Sequence, residues 1–132
     1  MIRIIISANR SNCDAPTNQS ATNALEKYLD SMRRNAVKVE GAYDGMTEES
    51  FMFFMPNTED YAVCAAIATA TNLAVMMKQE CSYIAVDGMA FLVYQDGRLQ
   101  YIGHEVTDYV LPENVAGFTI LPDAQYLYTE LN

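Results

Sequence analysis

Residues 1–7 read MIRIIIS, and in this run Ile2, Ile4 and Ile6 alternate with Arg3, Ile5 and Ser7. The stretch is short, β-branched and apolar on both alternating faces, which predicts a strand buried on both sides and central in its sheet. Working outward, SANRSNCDAPTN (7–18) is crowded with Ser, Asn, Asp and Pro, residues that compete for local backbone hydrogen bonds and mark a loop. Residues 19–34 then carry Leu25, Leu29 and Met32 at helical spacing, with Arg33 and Arg34 placed to close the last turn of an amphipathic helix. KVEGAYDGM (38–46) and EESFMFFM (48–55) read as two strands of a hairpin broken at Asp44-Gly45. Pro56 stops the second of these, Thr58 is the expected N-cap of a long Ala-rich helix reaching about Lys78, and Glu59 and Asp60 suit its first turn. Strands at 82–86, 89–94 and 99–105 follow, separated by Asp87-Gly88 and Asp96-Gly97. A short strand at 117–121 precedes a polar tail that holds Tyr126 and Tyr128. The order strand, helix, strand, strand, helix, strands predicts an α+β fold of the ferredoxin-like split βαβ type. Its mostly antiparallel sheet would carry two helices on one face and extra C-terminal strands. The other face of such an open sheet calls for cover, hence a homo-oligomer.

At 132 residues the chain is expected to be a single domain, 1–132, able to bury a core without staples. A net charge of -9 disfavours a surface that tracks phosphates and favours a cationic ligand, so no direct nucleic-acid binding is expected. Three cysteines without metal-ligand or redox spacing fit a reducing cytoplasm, and the MIRIIIS run is too short for a signal peptide. The stretch 61–77 is mostly small Ala interrupted by Thr69, Thr71 and Asn72, which argues for a buried helix and not a membrane span. His104, the single histidine, has no Cys or His at ligand spacing, so no metal site is expected. No nucleophile elbow or phosphate-binding Gly loop occurs, which leaves covalent catalysis and nucleoside triphosphate chemistry without support.

Two segments are candidates for chemistry. In ISANRSNCD (6–14), Ser7, Ala8, Asn9, Arg10, Ser11 and Asn12 leave the end of the first strand and supply many hydrogen-bond donors, although a turn leading into a helix explains the same composition. In GAYDGMTEES (41–50), side-chain alternation puts Glu49 on the side of Phe51 and Phe53, and Glu48 on the side of Ser50 and Met52. A carboxylate in aromatic company is costly unless paired with a cation or a proton, which makes Glu49 the sharper candidate of the two.

Together the two segments resemble the phage S-adenosylmethionine lyases, formerly called S-adenosylmethionine hydrolases. ISANRSNCD is similar to the family's Ser-Ala-x-Arg-Ser-Asn signature followed closely by Cys-Asp. GAYDGMTEES is similar to the segment in which Gly and Tyr lead to Thr-Glu-Glu. KQECSYIAV (78–86) and AGFTI (116–120) extend the likeness across about residues 3–121. The resemblance implies a metal-independent lyase with Glu49 and Tyr43 as catalytic residues. Ser7, Ala8, Asn9, Arg10, Ser11, Asn12, Glu48, Phe51 and Gln79 would bind substrate. It also implies a PII-like fold, a homotrimer with sites between subunits, and a place in the cytoplasm of a phage's host, where consuming S-adenosylmethionine disarms restriction. No cofactor is needed, because S-adenosylmethionine is the substrate. The competing readings are a hydrolase that yields homoserine, a PII-like or ACT-like sensor that binds without turnover, and an acidic DNA mimic suggested only by the net charge.

Overall fold

The computed structural model describes residues 1–43 and 45–131. These form β1 (Ile2–Ser7), α1 (Ala15–Ser31), β2 (Val37–Tyr43), β3 (Met46–Met55), α2 (Ala62–Met76), β4 (Cys81–Val86), β5 (Met89–Tyr94), β6 (Leu99–Asp108), β7 (Gly117–Ile120) and β8 (Tyr126–Glu130). Asp44, assigned from sequence to the hairpin turn, lies outside the described residues.

The expected open ferredoxin-like, PII-like sheet is corrected: the strands form a closed antiparallel barrel in the order β1-β3-β2-β7-β8-β6-β5-β4. Strands β5, β6, β8 and β7 run on from β4 and return to β2, so the face that would have needed a partner becomes the wall of a lumen. The strand that completes the circuit, β8, falls in the segment whose composition suggested a polar tail. It pairs with both β6 and β7, and it buries Leu127 and Tyr128. Closure removes both sheet edges, and with them the unpaired N–H and C=O groups an open sheet presents to solvent.

Every strand near β1 has two differently used sides. The outward side carries Ile2, Ile4, Ile6, Phe51, Phe53, Ile84 and Val93, packed under Leu25 and Leu29 of α1 and under Ala62, Ala66, Ala70 and Leu73 of α2. The inward side carries Ile5, Val39, Met52 and Leu127, with Tyr83 and Leu121 against them. Both sides of β1 are thus apolar and both are covered, as its alternation requires.

Helix α1 begins four residues earlier than its apolar period suggested, because Asp14 caps it by accepting from the Thr17 N–H at 2.9 Å and a proline occupies its first turn. It ends at Ser31, and Arg33 lies beyond it with φ +54. Helix α2 starts at Ala62 with Tyr61 in the cap position and no side-chain cap, so the expected cap at Thr58 and acidic first turn do not form. Packing decides its bounds instead: buried Ala62, Ala66 and Ala70 recur at one-turn spacing and let the helix lie close to the sheet, where Ser82 Oγ donates to the Ala70 carbonyl at 2.8 Å. One glycine is obligatory. Gly103 has φ +118 where the β5–β6 register shifts, and a Cβ there would fall on the Glu130 carbonyl. This bulge lets β6 leave β5 and continue along β8.

Candidate functional site at the barrel mouth

The lumen is plugged at one end and hollow at the other. At the plugged end Arg3 points inward from the isoleucine strand and meets Glu105, with Nε 3.0 Å from Oε2. The Tyr83 hydroxyl donates to the same Oε2 at 2.6 Å. Burial, followed by the charge of Glu105, pushes the Tyr83 phenol far above its ordinary range, so it remains a neutral donor. Met52 Sδ accepts from Arg3 Nη1 at 3.1 Å, and Ile5 packs against Met52 beside this network.

At the open end lies a cavity of about 870 Å³. Ser7, Asn9, Arg10, Ser11, Tyr43, Glu48 and Gln79, all singled out from sequence, line it. The loop after β1 is held by its own hydrogen bonds. Ser7 Oγ donates to the Glu49 carbonyl at 3.0 Å and accepts from the Asn9 N–H at 3.0 Å. Thr22 Oγ1 donates to Asn9 Oδ1 at 3.1 Å, and Gln79 Nε2 donates to the Asn9 carbonyl at 2.9 Å. Asn18 clasps the Arg10 backbone from both sides, accepting from its N–H and donating to its carbonyl. These contacts fix the loop as a shaped rim, and they show why a polar run that also leads into a helix can build a site.

Glu48 is the lumen-side carboxylate of this rim. Partial burial pushes it above the ordinary glutamate range, against a smaller opposing pull from the Ser7 hydroxyl. Glu49 points the other way and lines an adjoining cavity of about 560 Å³ on the outer wall, with Lys38, Glu40 and Ile120. Asn9, Thr47 and Glu48 border both cavities, so the two meet across the first residues of β3. Glu40 and Glu49 are direct cross-strand neighbours, two exposed acids side by side.

Three residues named from sequence lie elsewhere. Phe51 is 2% exposed within the helix-side core, Ala8 is buried in that core, and Asn12 is exposed; none of the three lines either cavity. The side shared by Glu49, Phe51 and Phe53 is real, but its aromatic part is roofed by helices. Tyr43 is two-thirds exposed, and its ring lies over cross-strand Gly117, where an added Cβ would come within 2.9 Å of Cδ2. His104 pairs loosely with Glu130 at 3.7 Å from within β6 and borders neither cavity. The lumen residues Arg3, Tyr83, Leu92, Ile102 and Glu105 were not singled out as a site. The one signal for them was Arg3, a cation alternating into a strand buried on both sides, which demands a carboxylate partner somewhere in the chain.

Among the described residues no group of three His, Cys, Asp or Glu side chains is placed to hold a metal ion, and no helix is long and apolar enough to cross a membrane.

A closed barrel whose hollow end is rimmed by hydroxyls, amides and the Glu48 carboxylate has a cavity of the size that small-molecule sites take. The model of the S-adenosylmethionine lyase family matches residues 4–130, nearly the whole barrel. The chain belongs to that family. A search of curated proteins gave no match.

Proposed function

We infer that this protein cleaves S-adenosylmethionine to methylthioadenosine and homoserine lactone. The observation that carries the reading is the rim where two cavities meet, with Glu48 on one side and Glu49 on the other, in a chain of the S-adenosylmethionine lyase family. The substrate brings its own leaving group, because its sulfonium departs as a neutral thioether. Its carboxylate attacks Cγ, the Cγ–O bond forms as Cγ–S breaks, and the bonding pair goes to sulfur, so neither water nor a protein nucleophile is consumed. Holding the carboxylate in line with Cγ supplies on the order of 7 kcal/mol or more of the barrier.

Opposite charges cancel in this transition state, so a site with an apolar floor favours it over the ground state. Glu49 holds the substrate's ammonium and thereby the reactive rotamer, with Tyr43 and Glu48 beside it, while Ser7, Asn9, Arg10, Ser11 and Gln79 bind the remainder. No cofactor takes part. Glu49 stands exposed on the outer wall, a position suited to a site completed by a neighbouring subunit, and we assign the protein as a homotrimer on that basis and on the family resemblance. Its cellular role is depletion of the methyl donor in the cytoplasm of a phage-infected host, which disarms restriction.

Mass spectrometry of an early-quenched incubation with S-adenosylmethionine tests the reaction. Methylthioadenosine with the lactone is expected. Homoserine from the first time point would make the protein a hydrolase with Glu49 as general base, and unchanged substrate would make it a sensor. Glu49→Gln keeps the shape and removes the charge, so turnover should fall on the order of a hundredfold or more while binding persists.

A further inference from the structure

We propose that Thr22 of α1 is a positioning residue of the site: by donating to Asn9 Oδ1 it turns the Asn9 amide nitrogen toward the place where the two cavities meet. The inference rests on the reading of S-adenosylmethionine as substrate and adds a residue that does not touch it. Thr22 is 1% exposed and stands in one buried line with Leu25 and Leu29, where an apolar side chain would pack without needing a partner. A threonine inside a helix can satisfy its hydroxyl on the carbonyl four residues back. Thr69 and Thr71 of α2 do so, donating to the Ala65 and Ile67 carbonyls at 2.9 and 2.8 Å. Thr22 instead sends its hydroxyl out of the helix to Asn9, 13 positions earlier, at 3.1 Å.

Asn9 is held at every polar group but one. Its N–H donates to Ser7 Oγ at 3.0 Å, its carbonyl accepts from Gln79 Nε2 at 2.9 Å, and its Oδ1 accepts from Thr22. Asn18, one turn before Thr22, clasps Arg10, so the helix grips two successive residues of the loop. The group these bonds leave over is the amide Nδ2, on a residue that borders both cavities. Without the Thr22 hydroxyl nothing on α1 holds that end of the amide, and the side chain can turn about its last bond, exchanging donor for acceptor at the rim. All of these contacts lie within one chain, so the donor is in place before a neighbouring subunit completes the outer cavity.

Steady-state turnover and thermal melts of two variants separate positioning from stability. Thr22→Val fills the same space without the hydroxyl; it should melt as wild type does, while kcat for S-adenosylmethionine falls on the order of tenfold with KM little changed. Thr22→Ser keeps the hydroxyl and loses a buried methyl, so it should melt lower and still turn over within about twofold of wild type. A merely structural role predicts the opposite order, with the less stable variant the less active, and that result would overturn the proposal. Because Thr22 acts through Asn9, adding Thr22→Val to Asn9→Ala should lower kcat by less than about twofold more, and independent, multiplying losses would also overturn it. The Asn9 side-chain amide is read apart from turnover. Its ¹H–¹⁵N resonances should move when S-adenosylmethionine is added to Glu49→Gln, in which the substrate survives, and move less once Thr22→Val is added. Movement of this kind without wild-type turnover would leave Thr22 standing and remove the lyase reading. Wild-type turnover with unmoved amide resonances would do the reverse, and the absence of both signals would remove both.

Discussion

The two sides of the same strands have been put to opposite uses. Outward from β1, β3, β4 and β5, a layer of Ile, Phe and Val is sealed by Ala and Leu from two helices, and neither Phe51 nor Phe53 lines either cavity. Inward, the same strands present Arg3, Ser7, Glu48, Ser50 and Tyr83 among a few aliphatic residues, and a cavity of about 870 Å³ opens on that side. Filling a space with shape-matched apolar groups secures stability, and leaving it hollow with polar groups aimed inward costs stability and makes a site. Closure of the barrel is what separates the two, since it gives the strands an inside distinct from the side beneath the helices.

The contrast can be broken most forcefully at Phe53. Phe53→Ala should cost about 3–5 kcal/mol, because the residue is fully packed and the helices above it cannot collapse into the gap. Leu92→Ala, on the same barrel but bordering an existing cavity, should cost less than about 2 kcal/mol. Urea denaturation of both variants measures the difference, and equal losses would erase the distinction drawn between the two sides.

The interior ion pair should behave unlike either. Glu105→Ala leaves Arg3 and the Tyr83 hydroxyl without a partner in a site where both charged side chains are more than four-fifths covered, and about 3 kcal/mol should be lost. Replacing both members, Arg3→Met with Glu105→Leu, should recover most of that loss, as thermal melts of the single and double variants will show.

Glu48 sharpens the contrast through pH. Its folded carboxyl is raised above its unfolded value, so the folded state holds the proton more tightly; the stability this provides is complete in acid and is lost as pH rises past about 4.5. Glu48→Gln should therefore melt higher than wild type at pH 7 and show a smaller drop in melting temperature between pH 4 and pH 7. Glu40→Gln, which relieves the like-charge pair with Glu49 on the outer wall, should show the smallest effect, a gain of about 0.2–1 kcal/mol that shrinks in high salt.

Much of this was legible in the chain itself. The β1 alternation specified a strand covered on both sides, the Asp-Gly pairs marked the turns of the β4–β6 meander, and the polar loop with the Glu-Glu pair held five of the candidate residues that line the large cavity. These readings succeeded because local rules govern them: side chains alternate, turns need particular residues, and a loop's donors are visible in its composition. The cap of α2 escaped the same rules because Ala packing outweighed the Thr58 signal. Phe51 fell outside the cavities because alternation names a shared side without saying what covers it.

The sequence by itself determined every element but β8, the acidic character of the molecule and the motifs of its family. Only the tertiary structure decided that β8 closes the sheet, that Arg3 finds Glu105 across 102 positions of chain, and that Glu48 faces the lumen while Glu49 faces the outer wall. The physical reason is that closure and inward facing depend on which strand edges meet, and those pairings join residues far apart in sequence whose local patterns carry no mark of one another.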